Sequence, residues 1–118
     1  MGGAETILLV DDEHVVRDVA AEILRRGGYE VLTAANGAEA LAVAGATGRI
    51  DVLLTDHAMP GMSGPELAEA LLALRPSLKV VFMSGYAEQI DGDEAADVFL
   101  QKPFDASTLL GAVRQLLS

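Results

Sequence analysis

A chain of 118 residues with 51% hydrophobic and only 4% aromatic residues is long enough for one domain with an aliphatic core, and too apolar for a disordered segment. Its formal net charge of −10, with no basic cluster to offset it, argues against binding to nucleic acid or to an anionic membrane surface. The lack of cysteine excludes disulfides and fits a cytoplasmic location, and no apolar run has the length of a transmembrane helix.

Five short apolar runs predict β-strands. They cover residues 6–10, 30–34, 52–55, 79–83 and 98–100. The first, third and fourth runs are almost continuous in aliphatic residues, which is typical of strands covered on both faces. Longer segments of helical period separate the strands, and this alternation predicts a parallel sheet with helices on both faces. We expect one α/β domain over residues 1–118, with residues 1–5 as a linker remnant.

The first two predicted helices have clear boundary signals. The first covers about residues 13–26 and ends at two glycines. Its apolar side is expected to contain Val16, Val19, Ala20, Ile23 and Leu24. The second begins at Asn36, which forms a capping arrangement with Glu39 three residues later. Its buried side is expected to contain Ala40, Leu41 and Ala44.

The third and the last predicted helices also show where they begin. The third starts with Pro65, a residue suited to a first turn, and ends at Pro76. Its apolar positions are Leu67, Leu71 and Leu74. The last has Asp105 as its N-cap residue. Its apolar positions are Leu109, Val113, Leu116 and Leu117.

Charged residues follow three of the predicted strands. Asp11 and Asp12 follow the first, Asp56 follows the third and Lys102 follows the fifth. The carboxyl ends of parallel strands meet at one edge of the sheet, where α/β folds place their sites, so these four side chains should converge. Crowded carboxylates raise one another's pKa unless a cation neutralises them, and oxygen ligands suit a hard divalent ion. The pattern predicts a pocket for a divalent cation and a phosphoryl group.

Four stretches of the chain resemble the receiver domain of two-component response regulators, and the resemblance spans residues 6–117. The stretches are LLVDDE (8–13), LTDHAMPGMSG (54–64), MSGYA (83–87) and FLQKPF (99–104). The resemblance implies a flavodoxin-like (βα)5 fold, a doubly wound parallel sheet with strand order 2-1-3-4-5. It also implies that Asp56 accepts a phosphoryl group from a phosphohistidine on a histidine kinase or a histidine phosphotransfer domain.

The same resemblance implies the metal site and the switch. Mg²⁺ or Mn²⁺ would be held by Asp11, Asp12, Asp56 and the backbone carbonyl of Ala58. Ser84 and Lys102 would contact the phosphoryl group, and Phe99 would be the aromatic residue that changes rotamer. A cis peptide bond is expected before Pro103.

Several of these residues also have simpler interpretations. Asp11 and Asp12 would suit the N-terminus of the first helix, where the helix dipole favours acids. Lys102 could be a solvated lysine and Ser84 a turn hydroxyl. His14 and His57 are interpreted as exposed side chains rather than metal ligands.

Two other functions compete with a phosphoacceptor switch. An aspartyl-phosphate phosphohydrolase would carry an acid two residues after the nucleophile, but that position is Ala58, which cannot exchange a proton. A degenerate receiver used only for protein contacts would not need the complete set of acids and lysine. The domain is therefore interpreted as a phosphoacceptor rather than a turnover enzyme, although a parent chain could be a histidine kinase.

The segment between the fourth and fifth strands departs from the family pattern. It is about one helical turn shorter than usual, and the run DGDE at residues 91–94 interrupts it. We expect a short or irregular fourth helix, and hence a domain that stays monomeric when isolated. The stretches at residues 83–88 and 99–104 look like receivers fused to the C-terminus of hybrid sensor histidine kinases, and this origin is favoured over a stand-alone receiver.

Overall fold

The five predicted strands form one parallel sheet in a computed structural model that describes residues 5–85 and 97–117. The strands are β1 (Thr6–Val10), β2 (Glu30–Ala34), β3 (Val52–Asp56), β4 (Lys79–Ser84) and β5 (Val98–Gln101). Their order is β2-β1-β3-β4-β5, so the predicted doubly wound sheet is confirmed. β3, β4 and β5 each end one residue later than predicted, which makes Asp56 and Ser84 the last residues of their strands.

Helices cover both faces of this sheet. The described helices are α1 (His14–Arg26), α2 (Gly37–Gly45), α3 (Gly64–Leu74) and α4 (Ala106–Leu117). α1 contacts α4 on one face, and α2 contacts α3 on the other. The helix predicted between β4 and β5, with its acidic residues 91–94, lies outside the described residues. No helix in the described parts of the chain is long and apolar enough to cross a membrane.

Side chains of β1 show why the central strands are apolar without interruption. Ile7 and Leu9 pack in the core under α1 and α4, whereas Leu8 and Val10 pack in the core under α2 and α3. All four side chains are fully buried. Successive residues of a strand point to opposite faces, so a strand between two helical layers needs an apolar side chain at every position.

Two predicted helix starts, at Asn36 and Asp105, are confirmed by hydrogen bonds of their side chains. The Asn36 side chain accepts a hydrogen bond from the N–H of Glu39 at 2.8 Å. Asp105 Oδ1 accepts one from the backbone N–H three residues further on, also at 2.8 Å. Ser63 and Glu66 form a reciprocal capping box at the start of α3. These side chains satisfy backbone donors that a helix leaves unpaired at its N-terminus.

Two residues predicted on apolar helix faces are exposed instead. Val19 is 56% exposed and Leu74 is 74% exposed, so these two positions of the predicted apolar faces do not belong to the core. The face of α1 that meets the sheet contains Ala20, Ala21 and Leu24, of which Ala21 was not predicted. Helical spacing defines a broad apolar side, but only the part that faces the sheet is buried, and Leu74 lies at the very end of α3.

Candidate functional site

The polar residues predicted to converge lie at the carboxyl edge of four adjacent strands. Asp11 directly follows β1, Asp56 ends β3, Ser84 ends β4 and Lys102 directly follows β5. The backbone continues the sheet pairing at this edge, since Lys102 N–H donates to the carbonyl of Ser84 at 2.8 Å. The peptide bond between Lys102 and Pro103 is cis, as the resemblance predicted. Sheet topology therefore brings together residues that are up to 91 positions apart in the chain.

Gly64 lets α3 begin close to the phosphoacceptor candidate. A Cβ atom at this position would collide with the backbone carbonyl of Asp56 and approach the Cα atom of His57. The N–H of Gly64 instead donates to the His57 carbonyl at 2.9 Å. This close contact fixes the turn that follows Asp56.

Lys102 is the cation around which the acids are arranged. Its Nζ atom lies 3.0 Å from Asp11 Oδ2 and 3.2 Å from Asp56 Oδ1. A third carboxylate, Glu13 Oε1, lies 3.5 Å away. The Lys102 side chain is only 17% exposed, so these interactions are shielded from most of the solvent. The interpretation of Lys102 as a freely solvated lysine is therefore wrong.

Asp11 is the most deeply buried acid of the site. Its exposure is zero, and its two oxygens have different partners. Oδ1 accepts a hydrogen bond from the N–H of Glu13 at 2.9 Å, and Oδ2 faces Lys102. Asp11 thus pairs with one backbone donor at the start of α1 as well as with the site lysine. Asp12, in contrast, is exposed.

The carboxyl group of Asp56 is harder to ionise than that of an ordinary aspartate. Burial raises its pKa from the usual 3.8 to about 6. The Lys102 ammonium opposes this rise, whereas the negative charges of Asp11 and Asp12 add to it. At neutral pH Asp56 is still mostly a carboxylate, the form that can act as a nucleophile.

The environment of Lys102 favours its charged form. Burial lowers the pKa of its ammonium group, but the hydrogen bond to Asp11 and the charges of Asp56 and Asp11 outweigh burial and raise the pKa above 10.5. Lys102 is therefore a permanent positive charge at physiological pH. A group of this kind can neutralise an anion that approaches Asp56.

Three carboxylates form a ligand set suited to a divalent cation. Oxygen atoms of Asp11, Asp12 and Asp56 all lie within 4.8 Å of one another. Mg²⁺ prefers oxygen ligands and commonly retains several waters, and the exposed side of this set, at Asp12, leaves space for them. Ala58 lies two residues past β3 in an exposed loop, and the role of its carbonyl stays a prediction.

The two predicted switch residues lie on neighbouring strands. Ser84 is 3% exposed at the end of β4, and Phe99 is half-buried on β5. Phe82 precedes Ser84 on the same face of β4, and its ring centroid lies 5.6 Å from that of Phe99. The Phe99 ring therefore packs beside Phe82, two residues before Ser84 in β4. Residues 86–96, which lie between Ser84 and Phe99 in the sequence, are outside the described part of the chain.

The histidines differ in their surroundings. His14 is exposed at the first position of α1, as predicted. His57 was predicted to be exposed, but it is half-buried with its ring edge-on to Phe82 at a centroid distance of 5.2 Å. The reason is the tight turn at Gly64, which holds the residue after Asp56 against the top of β4.

Two contacts of the site were not predicted from the sequence. One is the Glu13 carboxylate beside Lys102. The other is the Arg17 guanidinium, which donates to the backbone carbonyl of Asp11 at 2.8 Å. Because Glu13 directly follows the acid pair in the sequence, its position near the site could have been predicted. Arg17 reaches back across the first turn of α1, and only the position of the helix on the sheet reveals that contact.

Comparison with known proteins gives consistent matches over nearly the whole chain. The response regulator receiver domain family matches residues 7–114. The chain is 38% identical to the sensor kinase CckA of Brucella abortus (strain 2308) over 122 aligned residues, which cover 99% of this chain and 13% of that kinase. The chain therefore spans only a small part of the length of this relative.

Two solved structures share the fold at substantial sequence identity. The receiver domain of the hybrid histidine kinase CckA has a TM-score of 0.84 and 44% identity, covering 96% of this chain and 99% of that one. The response regulator TrrA of Thermotoga maritima, solved in complex with Mg²⁺ and BeF, has a TM-score of 0.86 and 35% identity. That match covers 95% of this chain and 98% of TrrA.

Proposed function

This chain belongs to the response regulator receiver domain family and is a phosphoacceptor switch of two-component signalling, and we propose that Asp56 is the residue that receives the phosphoryl group. The observation that carries this assignment is the position of Lys102 Nζ between the carboxylates of Asp11 and Asp56. It provides a fixed positive charge next to one buried, nucleophilic carboxylate. Ser84, at the end of the next strand, is the hydroxyl proposed to contact the transferred group.

The transfer makes one bond and breaks one. A carboxylate oxygen of Asp56 attacks the phosphorus atom of a phosphohistidine, the phosphorus–nitrogen bond breaks, and the imidazole leaves with the bonding electron pair. Because nucleophile and phosphoryl group are both anionic, the chain must mainly neutralise charge and align the reactants. Lys102 supplies a positive charge next to Asp56.

Mg²⁺ fits the acid cluster, with Asp11, Asp12 and Asp56 as its proposed side-chain ligands. When bound, the ion would neutralise the phosphoryl oxygens and lower the cost of ionising Asp56. Mn²⁺, which takes the same ligand types, is proposed as a working substitute.

A phosphorylation assay tests the assignment of Asp56. With Mg²⁺ and acetyl phosphate the domain should gain a single phosphoryl group that is stable to acid and labile to base and hydroxylamine. Asp56→Asn should abolish this gain, and Ser84→Ala should reduce but not relocate it. A phosphoryl group mapped to Ser84 or to a histidine would contradict the assignment.

The proposed partners follow from the chemistry of the donor. A histidine kinase or a histidine phosphotransfer domain would supply the phosphoryl group. The CckA relatives support an origin as one domain of a hybrid sensor kinase in the cytoplasm, which the sequence of the full-length gene would test.

We propose that the isolated domain is monomeric. Light scattering with and without beryllofluoride checks this, and a tight dimer at micromolar concentration would contradict it.

A further inference from the structure

Glu13 occupies a position at the site that the proposed function does not use. Its side chain is 64% exposed, yet its Oε1 atom lies 3.5 Å from the buried Lys102 Nζ. Its backbone N–H holds Asp11 Oδ1 at 2.9 Å, which anchors Glu13 beside the site. The carboxylate is therefore held within reach of Lys102, on the solvent side.

Three carboxylates surround the ammonium group of Lys102. An ammonium group has three N–H donors and no acceptor. In this structure the Lys102 Nζ atom donates a hydrogen bond to Asp11 at 3.0 Å and forms ion pairs with Asp56 at 3.2 Å and with Glu13 at 3.5 Å. A phosphoryl group on Asp56 takes over the contact of the Asp56 carboxylate with Lys102 and brings further negative oxygens to it, which compete with the remaining carboxylates for the ammonium group.

Glu13 is the partner that can leave most easily. Asp11 is fully buried and fixed by the Glu13 N–H, and Asp56 carries the phosphoryl group itself. Glu13 makes the longest of the three contacts and can turn its carboxylate into water without losing hydration. The phosphoryl oxygens would therefore compete at the lysine chiefly with the Glu13 carboxylate.

We infer that Glu13 is a positioning residue that holds Lys102 in the unphosphorylated state and competes with the phosphoryl group for it. This inference rests on the proposed function of Asp56 and Lys102. It predicts that loss of the Glu13 carboxylate removes a competing anion from Lys102 and makes the site bind a phosphoryl group more tightly. Since partly exposed ion pairs contribute little energy, the expected gain is about two- to fivefold in affinity.

Binding of beryllofluoride in the presence of Mg²⁺ measures this competition directly. Isothermal titration of the whole domain should give a dissociation constant about two- to fivefold lower for Glu13→Gln than for the wild type. Asp18→Asn is the matched control, because Asp18 is an exposed acid on the same helix and its loss changes the net charge equally. This control should bind beryllofluoride as the wild type does.

Glu13→Asp separates direct contact from a general effect of charge. It keeps the negative charge but shortens the side chain, and aspartate at a helix N-cap prefers the backbone N–H groups of the first turn. It should therefore bind beryllofluoride more tightly, like Glu13→Gln, with a thermal midpoint no lower than that of the wild type. A purely structural role of Glu13 would change the midpoint and leave the affinity unchanged.

The outcomes distinguish this inference from the function on which it rests. If the wild type binds beryllofluoride, Asp56→Asn does not, and Glu13→Gln binds no more tightly than the wild type, only the inference about Glu13 is overturned. Tighter binding by Glu13→Gln and Asp18→Asn alike, or by Glu13→Gln but not Glu13→Asp, also overturns it. If the wild type neither binds beryllofluoride nor becomes phosphorylated, the proposed function fails and the inference with it.

Discussion

Acids at the two ends of the sheet have different partners. At the amino end, Asp51 Oδ2 accepts a hydrogen bond from the N–H of Thr6 at 2.8 Å, and Asp97 Oδ2 accepts one from the N–H of Val80 at 2.8 Å. At the carboxyl end, Asp11 and Asp56 share the single ammonium group of Lys102. The first pair of acids satisfies backbone donors, whereas the second pair crowds two negative charges around one positive charge.

This difference separates structural acids from functional ones. Removing an acid that satisfies a buried backbone donor leaves that donor unpaired and costs stability. Removing an acid from a crowded cluster relieves repulsion and can add stability, but it also removes a group that the proposed phosphoryl transfer needs. The sign of the change in unfolding free energy therefore tells the two kinds apart in this chain.

The largest effect is expected on removing the shared cation. Lys102→Met leaves Asp11 and Asp56 buried without a positive partner, and in metal-free buffer it should lower the unfolding free energy by roughly 2–4 kcal/mol. Urea unfolding at pH 7 measures the loss. Lys79→Met is the matched control, because Lys79 is the other lysine of the chain and is exposed at the amino end of the sheet. A similar loss of unfolding free energy in both variants would contradict the proposed difference between the two ends of the sheet.

Asp56→Asn should have the opposite sign. Asp56 has a pKa of about 6 in the folded protein and near 3.8 in the unfolded chain. Between these pH values the folded state binds more protons, so the stability of the wild type falls as the pH rises through this window. Asparagine cannot ionise, so the variant does not lose stability in this way as the pH rises. Its unfolding free energy should therefore be higher than that of the wild type by roughly 1–3 kcal/mol at pH 7 without Mg²⁺.

The pH dependence provides the check on that prediction. Unfolding measured from pH 3.5 to pH 7.5 should show the advantage of Asp56→Asn growing as the pH rises and levelling off above about pH 6. An advantage that is equal at pH 4 and pH 7 would mean that relief of the ionisation penalty is not its cause.

Asp51→Ala should be destabilising, in contrast to Asp56→Asn. The N–H of Thr6 at the start of β1 would lose its acceptor, and the expected cost is about 1–2 kcal/mol. Arg49→Ala is the control, since it removes only the exposed ion pair to Asp51 and should cost less than about 0.5 kcal/mol. A neutral Asp51→Ala variant would show that the hydrogen bond at this end of the sheet adds nothing to stability.

The smallest change in stability is expected for Asp12→Ala. Asp12 is exposed, so its loss in metal-free buffer should change the unfolding free energy by less than about 0.5 kcal/mol. Mg²⁺ binding, followed by the rise in thermal midpoint on adding the ion, should nevertheless weaken clearly. A marked loss of stability without Mg²⁺ would instead identify Asp12 as a helix-capping residue.

Sequence was sufficient for the elements whose signals are local. Short apolar runs marked the five strands to within one residue at their carboxyl ends, and Asn36 and Asp105 marked helix starts through hydrogen bonds within their own first turns. Parallel strands place their carboxyl ends at one edge, so the approach of Asp11, Asp56 and Lys102 also followed from the order of the elements.

Tertiary structure alone decided the contacts between elements. The sequence places Val19 on the apolar side of α1, but the orientation of the helix on the sheet leaves Val19 exposed and buries Ala21. The position of Glu13 beside Lys102 and the packing of His57 on Phe82 depend equally on how loops and helices meet. Helical periodicity specifies a face about 100° wide or more, whereas burial and ion pairing depend on distances of a few ångströms between segments far apart in the chain.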